Sequence, residues 1–307
     1  VTDSKEDKAF AGAVRKIDPR IRLLSVRELS GGVSARTALL ETEGPDDRRR
    51  KMLFRQHGEA DLRRNPRIAA DEYRLLGLLR SAGLPVPEPY ALDTTCDLFS
   101  TPYLVMEFIE GETVDDPADQ SAYLHQTAFQ LSRIHQVDAS RHDLSFLPRQ
   151  DALVRKILEK RPVSPKGEWS EGRIRSALER AWPFPQVNPD VLLHGDFWPG
   201  NLLWREGRLV AVIDWEDAAL GDPLADVANA RLEILWAFGE EAMQRFTEEY
   251  RSMMPDVDLT HLPLWDLYAA LRPLSSISGW GLEPDRENLM RKRHRLFVSH
   301  ALEKLEL

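Results

Sequence analysis

The run Leu192-Leu193-His194-Gly195-Asp196-Phe197-Trp198-Pro199-Gly200-Asn201-Leu202-Leu203-Trp204, followed by Val210-Ala211-Val212-Ile213-Asp214-Trp215, decides how this chain is read. Two apolar segments flank an Arg205-Glu206-Gly207 turn, which predicts a hairpin. Asn201 opens one arm and Asp214 closes the other, so the pattern predicts that Asp196, Asn201 and Asp214 converge on one point. Two carboxylates and an amide oxygen suit a hard cation such as Mg²⁺, which keeps positions for water and substrate phosphate. A remaining carboxylate then orients an attacking hydroxyl, which is what phosphoryl transfer requires.

Upstream of this run the sequence reads as strands around one helix. Ile21–Leu29, Ala35–Thr42, Lys51–Gln56 and Thr101–Ile109 are predicted strands, and Pro66 opens a helix that continues over Ile68–Ser81. Gly83 stops that helix, and Pro85, Pro87 and Pro89 keep the chain extended. Downstream the chain turns helical, with expected helices at Gln120–Val137, Asp151–Arg161, Glu171–Ala181, Pro223–Phe238, Glu240–Met253, Leu264–Ser276 and Pro284–Leu305. The expected organisation is an α+β chain with a small β-rich first part over 1–106, a connector at 107–111 and a larger helical part over 112–307.

Composition narrows the function. With 41 Lys+Arg against 50 Asp+Glu, the net charge is −9, a poor match for general binding to nucleic acid or an anionic membrane. Arg48-Arg49-Arg50-Lys51 and Arg291-Lys292-Arg293-His294-Arg295 lack aromatic interleaving and read as solvated faces. Cys96 is the only cysteine, no apolar run reaches the roughly 18 residues of a membrane span, and the charged first twenty residues contain no signal-peptide core. The expectation is a cytoplasmic protein, a monomer or homodimer, with a small-molecule partner. The charge divides unevenly, 18 Lys+Arg against 16 Asp+Glu over 1–106 and 23 against 34 over 107–307. This favours a cationic or neutral acceptor over an anionic one.

His194-Gly195-Asp196 with Asn201, then Ile213-Asp214-Trp215-Glu216 and Gly221-Asp222-Pro223-Leu224-Ala225-Asp226, resembles the aminoglycoside phosphotransferase/choline kinase family. The resemblance implies the protein-kinase-like bilobal fold, with a β-rich nucleotide lobe and a mostly helical catalytic and acceptor lobe. It implies transfer of the γ-phosphate of ATP, or of GTP, to a small-molecule hydroxyl with Mg²⁺. By that resemblance Asp196 is the catalytic base, Asn201 and Asp214 are Mg²⁺ ligands, and His194 and Asp226 support the catalytic loop. The turn Ser30-Gly31-Gly32-Val33-Ser34 is similar to the phosphate-covering loop, where backbone N–H groups and hydroxyls meet phosphate oxygens.

Arg55 stands where the fold usually has lysine, with Glu72 as its acidic partner and Lys51 as a fallback on the same strand face. The departure matters because a guanidinium is planar and bidentate where an ammonium is a compact point charge. Leu53 would roof the adenine, which the Glu107 carbonyl and Ile109 N–H would read.

For the acceptor, Glu216, Asp217, Glu233, Glu283 and Asp285 with Trp236, Trp265 and Trp280 suit a cationic alcohol such as an aminoglycoside, through charge pairing and cation–π contact. Tryptophans at helical spacing are also the makings of a core. Two other classes remain open: a nucleotide-binding pseudokinase or interaction module, supported by the Arg55 departure, and a metal hydrolase using His194, Asp196 and Asp214. The second of these would want further histidines, and the nearest upstream are His142, His135 and His125.

Overall fold

The computed structural model describes residues 5–29, 35–139, 141–160, 170–275 and 277–305. The chain divides into two compact units. One comprises 1–111 and 210–216, the other 112–209 and 217–307.

The first unit opens with α1 (Lys5–Ile17), a helix that the sequence reading did not expect. Then come β1 (Arg22–Leu29), β2 (Ala35–Glu43), β3 (Arg49–His57), the short α2 (Glu59–Arg64), α3 (Ile68–Ser81), β4 (Pro89–Asp93) and β5 (Tyr103–Glu107). The strands form one antiparallel sheet in the order β1-β2-β3-β5-β4. Phe10, Ala13 and Val14 of α1 pack with Met52, Phe54, Phe99 and Tyr103 in the core of this unit. Met52 and Phe54 occupy one face of β3, so the alternation of a strand leaves Leu53, Arg55 and His57 on the other.

Along α3 the buried positions are Ile68, Ala69, Glu72, Leu75, Leu76 and Leu79, an apolar stripe at helical spacing interrupted by one carboxylate. The helix ends as expected at a positive-φ glycine, Gly83 (φ 76°), and Leu84 N donates to Leu79 O at 3.0 Å.

The second unit is mainly helical. Asp119 caps α4 (Gln120–His135) by accepting from Ala122 N at 2.9 Å. There follow α5 (Gln150–Glu159), α6 (Glu171–Ala181), β6 (Val191–Leu193), a 3₁₀ turn at Pro199–Asn201 and β7 (Leu202–Arg205). The chain continues through β8 (Arg208–Val212), β9 (Ala219–Gly221), α7 (Leu224–Phe238), α8 (Glu240–Met253), α9 (Leu262–Leu271) and α10 (Pro284–Lys304). β7 and β8 form the expected hairpin, and β6 pairs antiparallel with β9. α7 is buried over most of its length and packs on α8, α9 and α10. Among the described residues, no helix is long and apolar enough to cross a membrane.

One surface expectation needs correcting. The late basic run on α10 is not wholly solvated. His294 is fully buried, with burial pushing its imidazole down to about 4, and Arg293 Nη1 donates to Trp236 O at 2.7 Å.

Candidate active site

In the helical unit the loop after β6 is fastened from below by one carboxylate. Asp226, near the start of α7, is 1% exposed. Its Oδ2 accepts from His194 N at 2.6 Å and its Oδ1 from Gly195 N at 2.9 Å. His135 Nε2 lies 3.3 Å from the same carboxylate, and His135 Nδ1 lies 2.7 Å from the Tyr250 hydroxyl. Burial raises the Asp226 pKa, but the His135 hydrogen bond and the charges and amides around it leave it below the ordinary carboxylate value. Asp226 is therefore held as an anion in the interior. His194 is fully buried, and its Nδ1 accepts from Asp196 N at 3.2 Å.

Gly195 has φ +84°, and a Cβ placed there would lie 2.0 Å from Asp217 O. Only glycine combines that backbone with that approach. Asn201 Nδ2 donates to Asp196 O at 2.9 Å, which leaves the amide oxygen of Asn201 as the atom available to a cation. Asn229, three residues after Asp226 on α7, donates to Phe197 O at 3.3 Å and accepts from Arg272 Nη1 at 2.9 Å.

In the β-rich unit the corresponding feature is Arg55, 8% exposed. Its Nη2 donates to Asp214 Oδ1 and to Glu216 Oε2, each at 2.7 Å, and its Nε lies 3.5 Å from Glu72 Oε2. Burial works against the charge, but Glu72, Asp214 and Glu216 together hold it above the ordinary arginine range. Asp214 is a non-glycine residue at φ 65°, a sparsely populated conformation that surrounding structure must impose.

A model of the phosphotransferase enzyme family matches residues 25–273. The chain belongs to that family. Acyl-CoA dehydrogenase family member 11 of Gallus gallus is 30% identical over 227 residues, 69% of this chain, but the chain spans only 28% of that relative's length. The GDP and kanamycin complex of APH(2")-IIIa superposes with a TM-score of 0.66 at 18% identity, covering 97% of each chain. A ternary complex of aminoglycoside phosphotransferase APH(4)-Ia with AMP-PNP and hygromycin B gives a TM-score of 0.64 at 20% identity, covering 91% of this chain and 94% of that one. The fold of this chain is thus the α+β, kinase-like fold of the aminoglycoside phosphotransferases.

The remaining expected residues fall into distinct settings. Ser30, Gly31, Gly32, Val33 and Ser34 lie outside the described residues. Leu53 is partly buried on the Arg55 face of β3, whereas Lys51 is exposed and pairs with Glu110 at 2.6 Å. Glu107 ends β5, where its N–H donates to Glu88 O at 2.8 Å, and Ile109 follows just past the strand.

Glu216, expected at the acceptor, is bonded to Arg55. Glu233 on α7 is partly buried, and burial with the nearby Asp196 charge pushes its carboxyl up to about 8 against the pull of Arg272. Asp196 and Asp217 are among the groups that raise the pKa of Arg272, so Asp196, Asp217 and Glu233 form one electrostatic neighbourhood with it. Trp265 is a core residue, edge-on to Phe184 and Tyr268. Trp236 is largely buried, stacks on His294 and meets the exposed Trp280 edge-on. Glu283 and Asp285 are exposed at the N-terminus of α10, where they complement the helix dipole.

Sequence reasoning missed Asn229, Arg272 and His57. The i, i+3 spacing from Asp226 was the available signal for Asn229. For His57 it was the two-residue step from Arg55 along β3.

Proposed function

We propose that this phosphotransferase moves the γ-phosphoryl group of ATP, with Mg²⁺, to a hydroxyl of a small molecule bearing a cationic group. The observation that carries the reading is the Asp226 carboxylate clasping the His194 and Gly195 amides, with Asn201 tied to the carbonyl of Asp196. That bracing holds the loop that carries Asp196, whose carbonyl and carboxylate both face the Asn201 amide nitrogen.

Asp196 orients the acceptor hydroxyl and takes its proton as the oxygen bonds to the γ-phosphorus. The β–γ bridging P–O bond breaks and ADP leaves. Asn201 Oδ1 and the Asp214 carboxylate fit a hard divalent cation, since both offer oxygen and the Asn201 nitrogen is already engaged. When bound, Mg²⁺ neutralises the nucleotide phosphates. Arg55 adds fixed positive charge toward the phosphates, with Glu72 steadying it, and Ser30, Gly31, Gly32, Val33 and Ser34 supply backbone N–H groups and hydroxyls for them. Leu53, the Glu107 carbonyl and the Ile109 N–H receive the base. Glu233, with Asp217 beside Arg272, supplies the carboxylates for a cationic acceptor, in keeping with the hygromycin and kanamycin held by the two structural neighbours.

The test is nucleoside diphosphate release with ATP and with GTP across aminoglycosides, choline-like alcohols, macrolides and amino alcohols. Asp196→Ala and Asp214→Ala are expected to lower the turnover found by about 10²–10⁴-fold. Full activity in either variant overturns the mechanism. A nucleotide-binding module without transfer is the second reading, favoured by Arg55 occupying Asp214 Oδ1 at 2.7 Å. ATP binding without ADP release over the whole panel selects it.

A further inference from the structure

The β-rich unit contains a second set of buried donors that phosphoryl transfer does not use. His57, at the end of β3, is 1% exposed, and Asp61, on α2, is 9% exposed. One donor atom from each of His57, Asp61 and Glu216 lies within 4.8 Å of the others. Two atoms of this group are buried without a hydrogen-bond partner among the described residues, His57 Nδ1 and Asp61 Oδ2. Buried polar atoms are rarely left unsatisfied, so two orphans on residues of one such group point to something that satisfies them.

The far side of His57 is already committed. Its Nε2 lies 2.9 Å from Glu72 Oε2. An ionised carboxylate only accepts, so the ring proton sits on Nε2 and Nδ1 keeps its lone pair. A carboxylate bonded to one nitrogen of an imidazole is the usual support of a metal-binding histidine. Charge agrees with this. Four carboxylates, Asp61, Glu72, Asp214 and Glu216, surround Arg55 and His57, and the single guanidinium leaves negative charge in excess.

We propose that His57 Nδ1, Asp61 and Glu216 bind one divalent transition-metal ion, of the Mn²⁺ or Zn²⁺ kind. One imidazole nitrogen with two carboxylates suits these ions, whereas Mg²⁺ and Ca²⁺ prefer oxygen throughout. The ion ties α2 to the end of β3. It also draws on Glu216, which accepts from Arg55, so it fixes the guanidinium proposed to face the phosphates. It needs no nucleotide and takes neither Asn201 nor Asp214 as a ligand.

The experiment takes the full chain, strips it with chelator and titrates Mn²⁺ alone, without nucleotide, following binding by calorimetry and the bound ion by pulsed electron paramagnetic resonance. One Mn²⁺ per chain is expected, with nitrogen modulation from a single imidazole. Asp61→Asn and His57→Gln, each checked for native circular dichroism, are expected to abolish that site, and Glu72→Gln to weaken it by about 10–100-fold. Asn201→Ala is expected to leave it intact. If His57→Gln does not fold, Asp61→Asn together with the nitrogen signal of the unaltered protein carries the test. Failure of the unaltered chain to bind Mn²⁺ or Zn²⁺ stoichiometrically overturns the proposal. So does a site that survives both Asp61→Asn and His57→Gln, or one that Asn201→Ala removes.

Discussion

Single residues in the catalytic loop carry constraints that differ in kind. Gly195 is constrained by its backbone, since φ +84° and a Cβ only 2.0 Å from Asp217 O exclude any side chain. Gly195→Ala is expected to destabilise the protein by roughly 1–3 kcal/mol in urea unfolding and to abolish transfer, because the loop has to move. Glu233 is constrained by protonation. Burial first, then Asp196, raises its carboxyl from 4.5 to about 8. A raised folded-state pKa means that the folded chain binds this proton more tightly than the unfolded chain does. The resulting stability is fully present below pH 4.5 and is lost as pH rises through about 8. Glu233→Gln is expected to flatten that part of the stability profile, measured by denaturation at pH values on either side of this window. For a cationic acceptor, KM is expected to fall as Glu233 ionises and to lose that pH dependence in the variant. Asp196, Asn201 and Asp214 could be nominated from sequence because they stand at characteristic places in one short run. The other partners of Arg55 were not, because Asp214 and Glu216 lie 159 and 161 residues further along the chain.

At the scale of elements, periodicity worked where a segment carried a full apolar stripe of its own. Ile68–Ser81, Glu171–Ala181 and Glu240–Met253 stand at the boundaries their patterns imply. It failed for α1, whose lysines, acids, alanines and glycine leave a stripe of only Phe10, Ala13, Val14 and Ile17. That stripe acquires meaning when the sheet offers Phe54, Phe99 and Tyr103 to pack against. Phe10 makes ring contacts with Phe54 at 4.9 Å and Phe99 at 5.1 Å, so Phe10→Ala is expected to cost about 3–5 kcal/mol in chemical denaturation. β4 and β9 were likewise invisible as strands. One emerges from a proline-rich stretch that predicts only extended chain, and the other is three residues long. Pairing to β5 and to β6 makes them strands. α9 begins at Leu262 and ends at Leu271, and the residues that follow tighten into a 3₁₀ turn at Arg272–Ser275, which starts at the arginine that meets Asn229.

For the whole molecule, charge is the property that composition alone supplies. With a net charge of −9, concentrated beyond residue 106, kcat/KM for a cationic acceptor is expected to fall as salt rises, while that for a neutral alcohol changes little. Steady-state rates at low and high ionic strength check this. The sequence by itself determined the family, the α+β class and the run that holds Asp196, Asn201 and Asp214, because those signals are local and survive in any context. Tertiary structure alone decided that Asp226 clasps the loop through two amides, that Arg55 is clamped by three carboxylates, and that His57 and Asp61 are buried with open donor atoms. The physical reason is that desolvation and charge pairing depend on which groups share a space, and chain separation does not encode that.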